Sequence, residues 1–268
     1  MNIELRIAQF FGVHATAVFF ATLATLLAAV SVSWLVYRRI ERGHGADPPP
    51  PRLLILRMLV GFGIAAAAAL TFAELADELD LSDDMGRFDT ALADALRQHA
   101  PVALLQMFAL VTRLGDVSTL TALCIGVAML LLVASRYKLA LAWVLAVGGN
   151  GLLNVLLKAM FERVRPVHEH TLLVAQSGWS FPSGHSSGSV VAYGMLAYVV
   201  VHFVSQRWQL PLLLGAATLA LTVGFSRVFL QVHYLSDVLA GFASGLLWLT
   251  ICIASSEWLR LRRSMAER

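Results

Sequence analysis

Long runs of apolar residues, separated by short polar connections, make up most of this chain. Seven runs lie at about 14–37, 53–73, 117–135, 139–157, 184–204, 210–226 and 234–256. Each is close to the roughly 20 residues that an α-helix needs to cross a bilayer. A chain in lipid must satisfy its own backbone hydrogen bonds, and these runs are too long and uniform for barrel strands. The pattern therefore predicts an all-α fold, a polytopic membrane helix bundle.

Composition agrees with this prediction, because 58% of the residues are hydrophobic and only 14% are charged. A soluble domain has about a quarter of its residues charged. The net charge of +3 does not indicate binding to nucleic acid, since the cations gather at the ends of the apolar runs. The first run, 14–37, fits either a spanning helix or an interfacial helix.

Lysine and arginine residues mark one side of the predicted bundle. They flank alternate connections and the C-terminus: Arg38, Arg39, Arg42, Arg52 and Arg57, then Arg136 and Lys138, then Arg207, and finally Arg260, Arg262, Arg263 and Arg268. Short connections rich in these cations stay in the cytoplasm. The pattern predicts an outer N-terminus and an inner C-terminus.

The chain divides into three parts. Residues 1–52 hold the first helix and a proline-rich cytoplasmic linker, 53–258 form the main membrane domain, and 259–268 form a basic cytoplasmic tail. An acidic extracytoplasmic insertion covers 74–116. Within it, the helical spacing of Phe88, Leu92 and Leu96 predicts a short amphipathic helix on the outer surface. A solvated lid or spacer is the favoured interpretation, and guidance of a substrate is the alternative.

Three cations lie at the outer ends of the later runs. Lys158 and Arg165 follow the run at 139–157, and Arg227 follows the run at 210–226. Together they suit a tetrahedral dianion, because arginine offers a planar fork of donors and lysine a compact charge. Ordinary helix-end cations that reach toward lipid headgroups are the alternative.

A polar break, Pro182-Ser183-Gly184-His185, precedes the run that follows it. Ser183 can cap the helix, and Gly184 lets the backbone approach a ligand closely. Free N–H groups at a helix N-terminus attract anions. The break therefore predicts either an anion cradle with a histidine attached or a simple capped helix start.

His233 and Asp237 are four residues apart and share one helical face. A carboxylate beside an imidazole fixes its tautomer and raises its basicity. The pair indicates a nucleophilic histidine, and a buried ion pair between helices is the alternative.

These residues spell three known motifs. KAMFERVRP matches K-x6-RP, FPSGH matches PSGH, and SRVFLQVHYLSD matches SR-x5-H-x3-D. With all three in order, the chain resembles the type-2 phosphatidic acid phosphatase (PAP2) superfamily over 139–256. The resemblance implies a six-helix core, to which the run at 14–37 adds an N-terminal helix.

The resemblance also implies roles. His233 would attack phosphorus and form a phosphohistidine, Asp237 would orient His233, and His185 would protonate the leaving oxygen and then activate water. The phosphoryl oxygens would be held by a larger set: Lys158, Arg165, Ser183, the Gly184 N–H and Arg227. The family requires no metal or other cofactor.

The expected function is a metal-independent lipid phosphatase of the bacterial inner membrane, with its site on the extracytoplasmic face. Candidate substrates are undecaprenyl pyrophosphate, phosphatidylglycerophosphate and phosphatidic acid. A lipid phosphotransferase with the same intermediate and a non-catalytic protein that binds anionic headgroups remain open. Arg163, His168 and His170 lie near the motifs but outside them, and we expect headgroup contacts or surface residues there.

Overall fold

The computed structural model describes residues 3–44, 51–80, 83–166 and 178–266. Within these ranges every regular element is helical. The α-helices are α1 (Ile3–Val13), α2 (Ala15–His44), α3 (Pro51–Asp77), α4 (Asp84–His99), α5 (Val102–Val111), α6 (Val117–Val133), α7 (Tyr137–Phe161), α8 (Gly184–Val201), α9 (Gln206–Phe229) and α10 (Leu235–Ala266). A short 3-10 helix, Thr112–Gly115, joins α5 to α6.

Each of the seven apolar runs forms a helix, so the prediction of an all-α polytopic bundle is confirmed. Among the described residues, five segments are long and apolar enough to cross a membrane: Ala15–Ile40, Met58–Asp77, Tyr137–Phe161, Gln206–Phe229 and Leu235–Arg262. Helix α8 begins with the polar residues GHSSGS and does not join this set. Its neighbours α7, α9 and α10 enclose it instead, which makes α8 the centre of the bundle.

A sixth candidate span is bent. Helices α5 and α6 meet at 45° across the 3-10 helix, and the three pieces qualify together as a broken span or a re-entrant segment. The 3-10 helix packs against α8 and α9. Residues 102–116, which the sequence places in the outer insertion, therefore pack within the bundle, and the break brings Thr112 and Asp116 to the N-terminal end of α8.

Helices α8 and α10 approach each other closely because α10 carries the small-residue pattern GFASG at 241–245. A Cβ atom at Gly241 would lie 2.5 Å from the Ser183 carbonyl oxygen, and one at Gly245 would lie 2.8 Å from the Ser187 carbonyl oxygen. Small residues permit such backbone contact between membrane helices. This contact fixes the start of α8 against the start of α10.

The amphipathic helix predicted in the acidic segment is present as α4, with Leu92 and Leu96 buried. It packs against α1, the C-terminal end of α9 and the N-terminal end of α10. Leu92 and Leu96 join one apolar cluster with Phe108 and Phe229. The favoured interpretation of a solvated spacer is therefore wrong for α4, because its apolar face belongs to the core.

Candidate active site

The motif residues come together at one end of the bundle, where α7 and α9 end and α8 and α10 begin. The end of α7 supplies Lys158 and, just beyond it, Arg165, and the N-terminus of α8 supplies Ser183, Gly184 and His185. The loop between α9 and α10, with the helix ends that flank it, supplies Arg227, His233 and Asp237. The Ser183 N–H donates to the Asp237 carbonyl oxygen at 2.9 Å, which ties the second group to the third.

The hydrogen bonds of His233 define its tautomer. Its Nδ1 lies 3.2 Å from Asp237 Oδ2, and its Nε2 lies 3.0 Å from Arg165 Nη1. A guanidinium can only donate, so Nε2 is the acceptor and the ring proton sits on Nδ1, where the carboxylate accepts it. Asp237 Oδ2 also accepts the Tyr234 N–H at 3.0 Å, which holds the carboxylate in place. The arrangement leaves the Nε2 lone pair as the reactive position.

Burial holds the pKa of His233 well below its ordinary value, and the positive charges of Arg165, Arg227 and Lys158 lower it further. The sequence predicts that Asp237 raises the basicity of this histidine, but desolvation and three cations outweigh one carboxylate. His233 is therefore neutral near neutral pH, which is the form that can act as a nucleophile.

Arg227 is the most deeply buried cation of the site, with none of its surface exposed. Its Nη1 donates to Thr112 Oγ1 at 2.7 Å, while its Nε and Nη2 have no partner among the described residues. A fully buried guanidinium that keeps two donors free is costly unless an anion completes it. The fork therefore suits two oxygens of a phosphoryl group.

The other two cations are held by backbone carbonyl groups. Lys158 Nζ donates to the Trp179 carbonyl oxygen. Arg165 Nε donates to the Gly178 carbonyl oxygen at 2.9 Å, and its Nη1 donates to the Val232 carbonyl oxygen at 2.8 Å. These bonds fix both charges beside His233 without neutralising them. A carboxylate partner would have cancelled the positive field that a phosphate requires.

The N-terminus of α8 has the predicted cap, because Ser183 Oγ accepts the Ser186 N–H at 3.4 Å. A Cβ atom at Gly184 would lie 2.8 Å from Asn154 Oδ1. Asn154 Nδ2 in turn donates to the Pro182 carbonyl oxygen at 3.4 Å. The absence of a Cβ atom at Gly184 thus lets Asn154 of α7 pack against the open start of α8.

A second histidine–carboxylate pair lies across the site. His185 Nε2 is 2.9 Å from Asp116 Oδ1, at the break between α5 and α6. Asp116 begins α6, yet its side chain caps no backbone N–H. Sequence reasoning missed Asp116, although an acid at the outer start of an apolar run was a signal. Burial lowers the pKa of His185 and the charge of Arg227 lowers it further, while the carboxylate of Asp116 partly opposes this shift.

Arg163 contradicts the prediction of a surface residue or headgroup contact. Only 7% of it is exposed. Its Nη1 lies 2.7 Å from Asp237 Oδ1, and its Nη2 lies 3.2 Å from Asp89 Oδ2. The prediction fails because Arg163 turns inward, where two buried carboxylates compensate its charge. His168 and His170, for which the same prediction was made, lie outside the described residues.

Asp89 is also a site residue that the sequence did not identify. It is 1% exposed and lies on α4, three residues before Leu92 and seven before Leu96. An acid on the apolar face of an amphipathic helix was the available signal, because a carboxylate is buried only when it is paired.

The fold and the site define a multi-pass membrane protein with a histidine centre surrounded by anion-binding groups. Residues 137–261 match the model of the PAP2 superfamily. The chain is 43% identical over 110 residues to phosphatidylglycerophosphatase B of Bacillus subtilis (strain 168) and 30% identical over 169 residues to lipid A 1-phosphatase of Rhizobium etli. The matched region of the second relative covers 54% of this chain and 68% of that protein. The chain therefore belongs to the PAP2 superfamily.

A solved structure agrees with the sequence comparisons. The crystal structure of the transmembrane PAP2 type phosphatidylglycerolphosphate phosphatase from Bacillus subtilis superposes with a TM-score of 0.66 at 32% identity. The superposition covers 72% of this chain and 96% of that chain. The sequence match to phosphatidylglycerophosphatase B is narrower, at 40% of this chain and 53% of that protein, so the chain spans about half the length of that relative.

Proposed function

We propose that this protein is a metal-independent lipid phosphatase that works through a phosphohistidine on His233. One observation carries the proposal: the unprotonated Nε2 of His233, which accepts from Arg165, lies among three cations, one of which, Arg227, is fully buried with two donor atoms unpaired among the described residues. An ion pair that only holds helices together would not leave charged donors open. Fixed cations around spreading negative charge are what phosphoryl transfer requires of a protein.

In the first step, His233 Nε2 attacks phosphorus and the bond from phosphorus to the lipid oxygen breaks. His185 donates a proton to that oxygen, so the lipid leaves as an alcohol. Asp237 keeps the Nδ1 proton in place and stabilises the positive charge that forms on the ring. The free donors of Arg227 bind the phosphoryl oxygens, and Asp116 stabilises the charged form of His185 before the transfer.

In the second step, His185 takes a proton from a water molecule, whose oxygen attacks phosphorus. The bond from phosphorus to His233 Nε2 breaks, phosphate leaves, and both histidines return to their starting forms. One histidine thus acts as acid and then as base. An acceptor lipid that replaces water would give a phosphotransferase instead.

The proposed substrates are phosphate esters of membrane lipids, with phosphatidylglycerophosphate first because both the sequence and the structure comparison match a phosphatase for this lipid from B. subtilis, and lipid A 1-phosphate second because of the R. etli relative. Phosphatidic acid and undecaprenyl pyrophosphate complete the set. The site lies at helix ends, where a headgroup reaches it while the acyl chains stay in the bilayer. The lysine and arginine pattern supports an extracytoplasmic site in a bacterial inner membrane.

The test is phosphate release by purified protein in detergent with EDTA, over this panel of four lipids. His233→Ala and His202→Ala run in parallel, because His202 lies at the opposite end of α8 and tests the loss of a histidine alone. We expect release by the wild type and by His202→Ala, and none by His233→Ala. Release that persists in His233→Ala would exclude the phosphohistidine. Phosphorylated lipid products on addition of acceptor lipids would identify a phosphotransferase. No release at all would favour an anion-binding protein.

A further inference from the structure

A buried chain of charged side chains links the outer helix α4 to the proposed nucleophile. Asp89 Oδ2 lies 3.2 Å from Arg163 Nη2, Arg163 Nη1 lies 2.7 Å from Asp237 Oδ1, and Asp237 Oδ2 lies 3.2 Å from His233 Nδ1. The four residues are each between 0% and 7% exposed. Such a chain is a strong electrostatic unit, because little water screens it.

Ser236 bridges Asp89 and Arg163, so these three residues form a ring of hydrogen bonds at one end of the chain. Its backbone N–H donates to Asp89 Oδ1 at 3.2 Å, its hydroxyl contacts Asp89 Oδ2, and Arg163 Nη1 lies 2.6 Å from that hydroxyl. The Arg163 guanidinium also stacks over the Tyr234 ring at 4.6 Å. Arg163 is therefore held on three sides, and the geometry of the ring does not depend on a substrate.

The charges explain why two carboxylates are needed. Arg163 paired with Asp237 alone would cancel most of the negative charge that His233 requires at Nδ1. Asp89 shares Arg163, so the trio of Asp89, Arg163 and Asp237 carries one net negative charge when both carboxylates are ionised. The two Asp237 oxygens then have separate tasks, since Oδ1 faces Arg163 and Oδ2 faces the histidine.

We propose that Asp89 is a positioning residue for catalysis, which acts through Arg163 to keep Asp237 oriented and negatively charged toward His233. The expected effect on kcat rests on the proposed function, whereas the expected effect on the tautomer of His233 does not. The proposal gives α4 a role, because Asp89 of this helix pairs with Arg163, and Arg163 in turn pairs with Asp237. Asp89 touches neither the substrate nor the reacting atoms.

The test compares Asp89→Asn with Asp83→Asn. Both changes remove one negative charge at or beside the start of α4, but Asp83 is exposed and its side chain makes no cap hydrogen bond. We expect Asp89→Asn to lower kcat roughly 10- to 100-fold with KM unchanged, as for other groups that orient a reactive side chain. Asp83→Asn should match the wild type. Equal kcat values for the two variants would overturn the inference.

A second readout does not require activity. In protein labelled with ¹⁵N-histidine, the ring nitrogen shifts report the tautomer of His233, whose signal is identified by its loss in His233→Ala. We expect the proton on Nδ1 in the wild type and a shift of population toward Nε2 in Asp89→Asn. An unchanged tautomer in Asp89→Asn counts against the inference even if the wild type hydrolyses no lipid, which separates its failure from that of the proposed function.

If Asp89→Asn does not fold in detergent, Ser236→Ala carries the test. This change removes the hydroxyl between Asp89 and Arg163 but leaves the backbone bond from Ser236 N–H to Asp89 Oδ1. We expect a smaller loss of kcat in the same direction, with the same shift in the His233 tautomer. Wild-type values for both measurements would overturn the inference.

Discussion

Replacing Arg227 by methionine should make the anion-free protein more stable and nearly inactive. Methionine keeps much of the side-chain volume but carries no charge. Arg227 is fully buried, and its Nε and Nη2 have no partner among the described residues. A buried donor without a partner costs about 1–3 kcal/mol, so the two together cost about 2–6 kcal/mol. The change also removes the charge repulsion of Arg227 on the other cations of the site.

Part of this gain is lost with the hydrogen bond from Arg227 Nη1 to Thr112, at about 1 kcal/mol. A net gain of about 2 kcal/mol corresponds to a rise in Tm of about 4–8 °C for a chain of this size. The two unpaired donors, Nε and Nη2 of Arg227, are those that we propose bind the phosphoryl oxygens. Their loss should lower kcat/KM by about 10²–10³, the scale for removal of one preorganised donor to a developing charge.

The assay is thermal unfolding in detergent with and without vanadate, alongside phosphate release. Arg207→Met is the matched control, because Arg207 lies at the opposite end of the same helix and is exposed. Vanadate should stabilise the wild type and the control but not Arg227→Met. A variant that melts below the wild type without anion would refute the reasoning, since it would mean that the buried guanidinium is already satisfied.

Three further predictions concern acid–base chemistry and packing. Burial and nearby cations lower the pKa of His233, so the pH at which kcat/KM begins to fall on acidification should lie below the usual pKa range of histidine. Arg165→Gln removes one of these cations and should move this fall to higher pH, as a pH–rate profile will test. Asp116→Asn should slow hydrolysis of lipid phosphates more than of p-nitrophenyl phosphate, whose leaving group needs no proton; equal losses would contradict a role in leaving-group protonation. Gly241→Ala, whose Cβ would meet the Ser183 carbonyl oxygen at 2.5 Å, should lower activity and Tm, whereas Gly151→Ala, with open space around it in the interior of α7, should lower neither.

The amino-acid sequence by itself determined the class of fold and indicated the groups that we propose as reactive. The length of the apolar runs specifies membrane helices, because the bilayer thickness is fixed. The four-residue spacing brings His233 and Asp237 into contact, although His233 lies in the loop before α10 and not on the predicted helical face, and Ser183 caps α8 as its position predicts. These features depend on neighbours along the chain, so a linear pattern suffices to find them.

Only the tertiary structure decided which distant groups complete the site. Asp116 and His185 are 69 positions apart, and Asp89 and Arg163 are 74 apart. No periodicity connects such pairs, because their contacts arise when α4 and the break before α6 pack against the ends of the central helices that carry the motifs. Arg163 is an example. Its position in the sequence is typical of a surface cation, and its burial is possible only because packing brings the carboxylates of Asp89 and Asp237 to it.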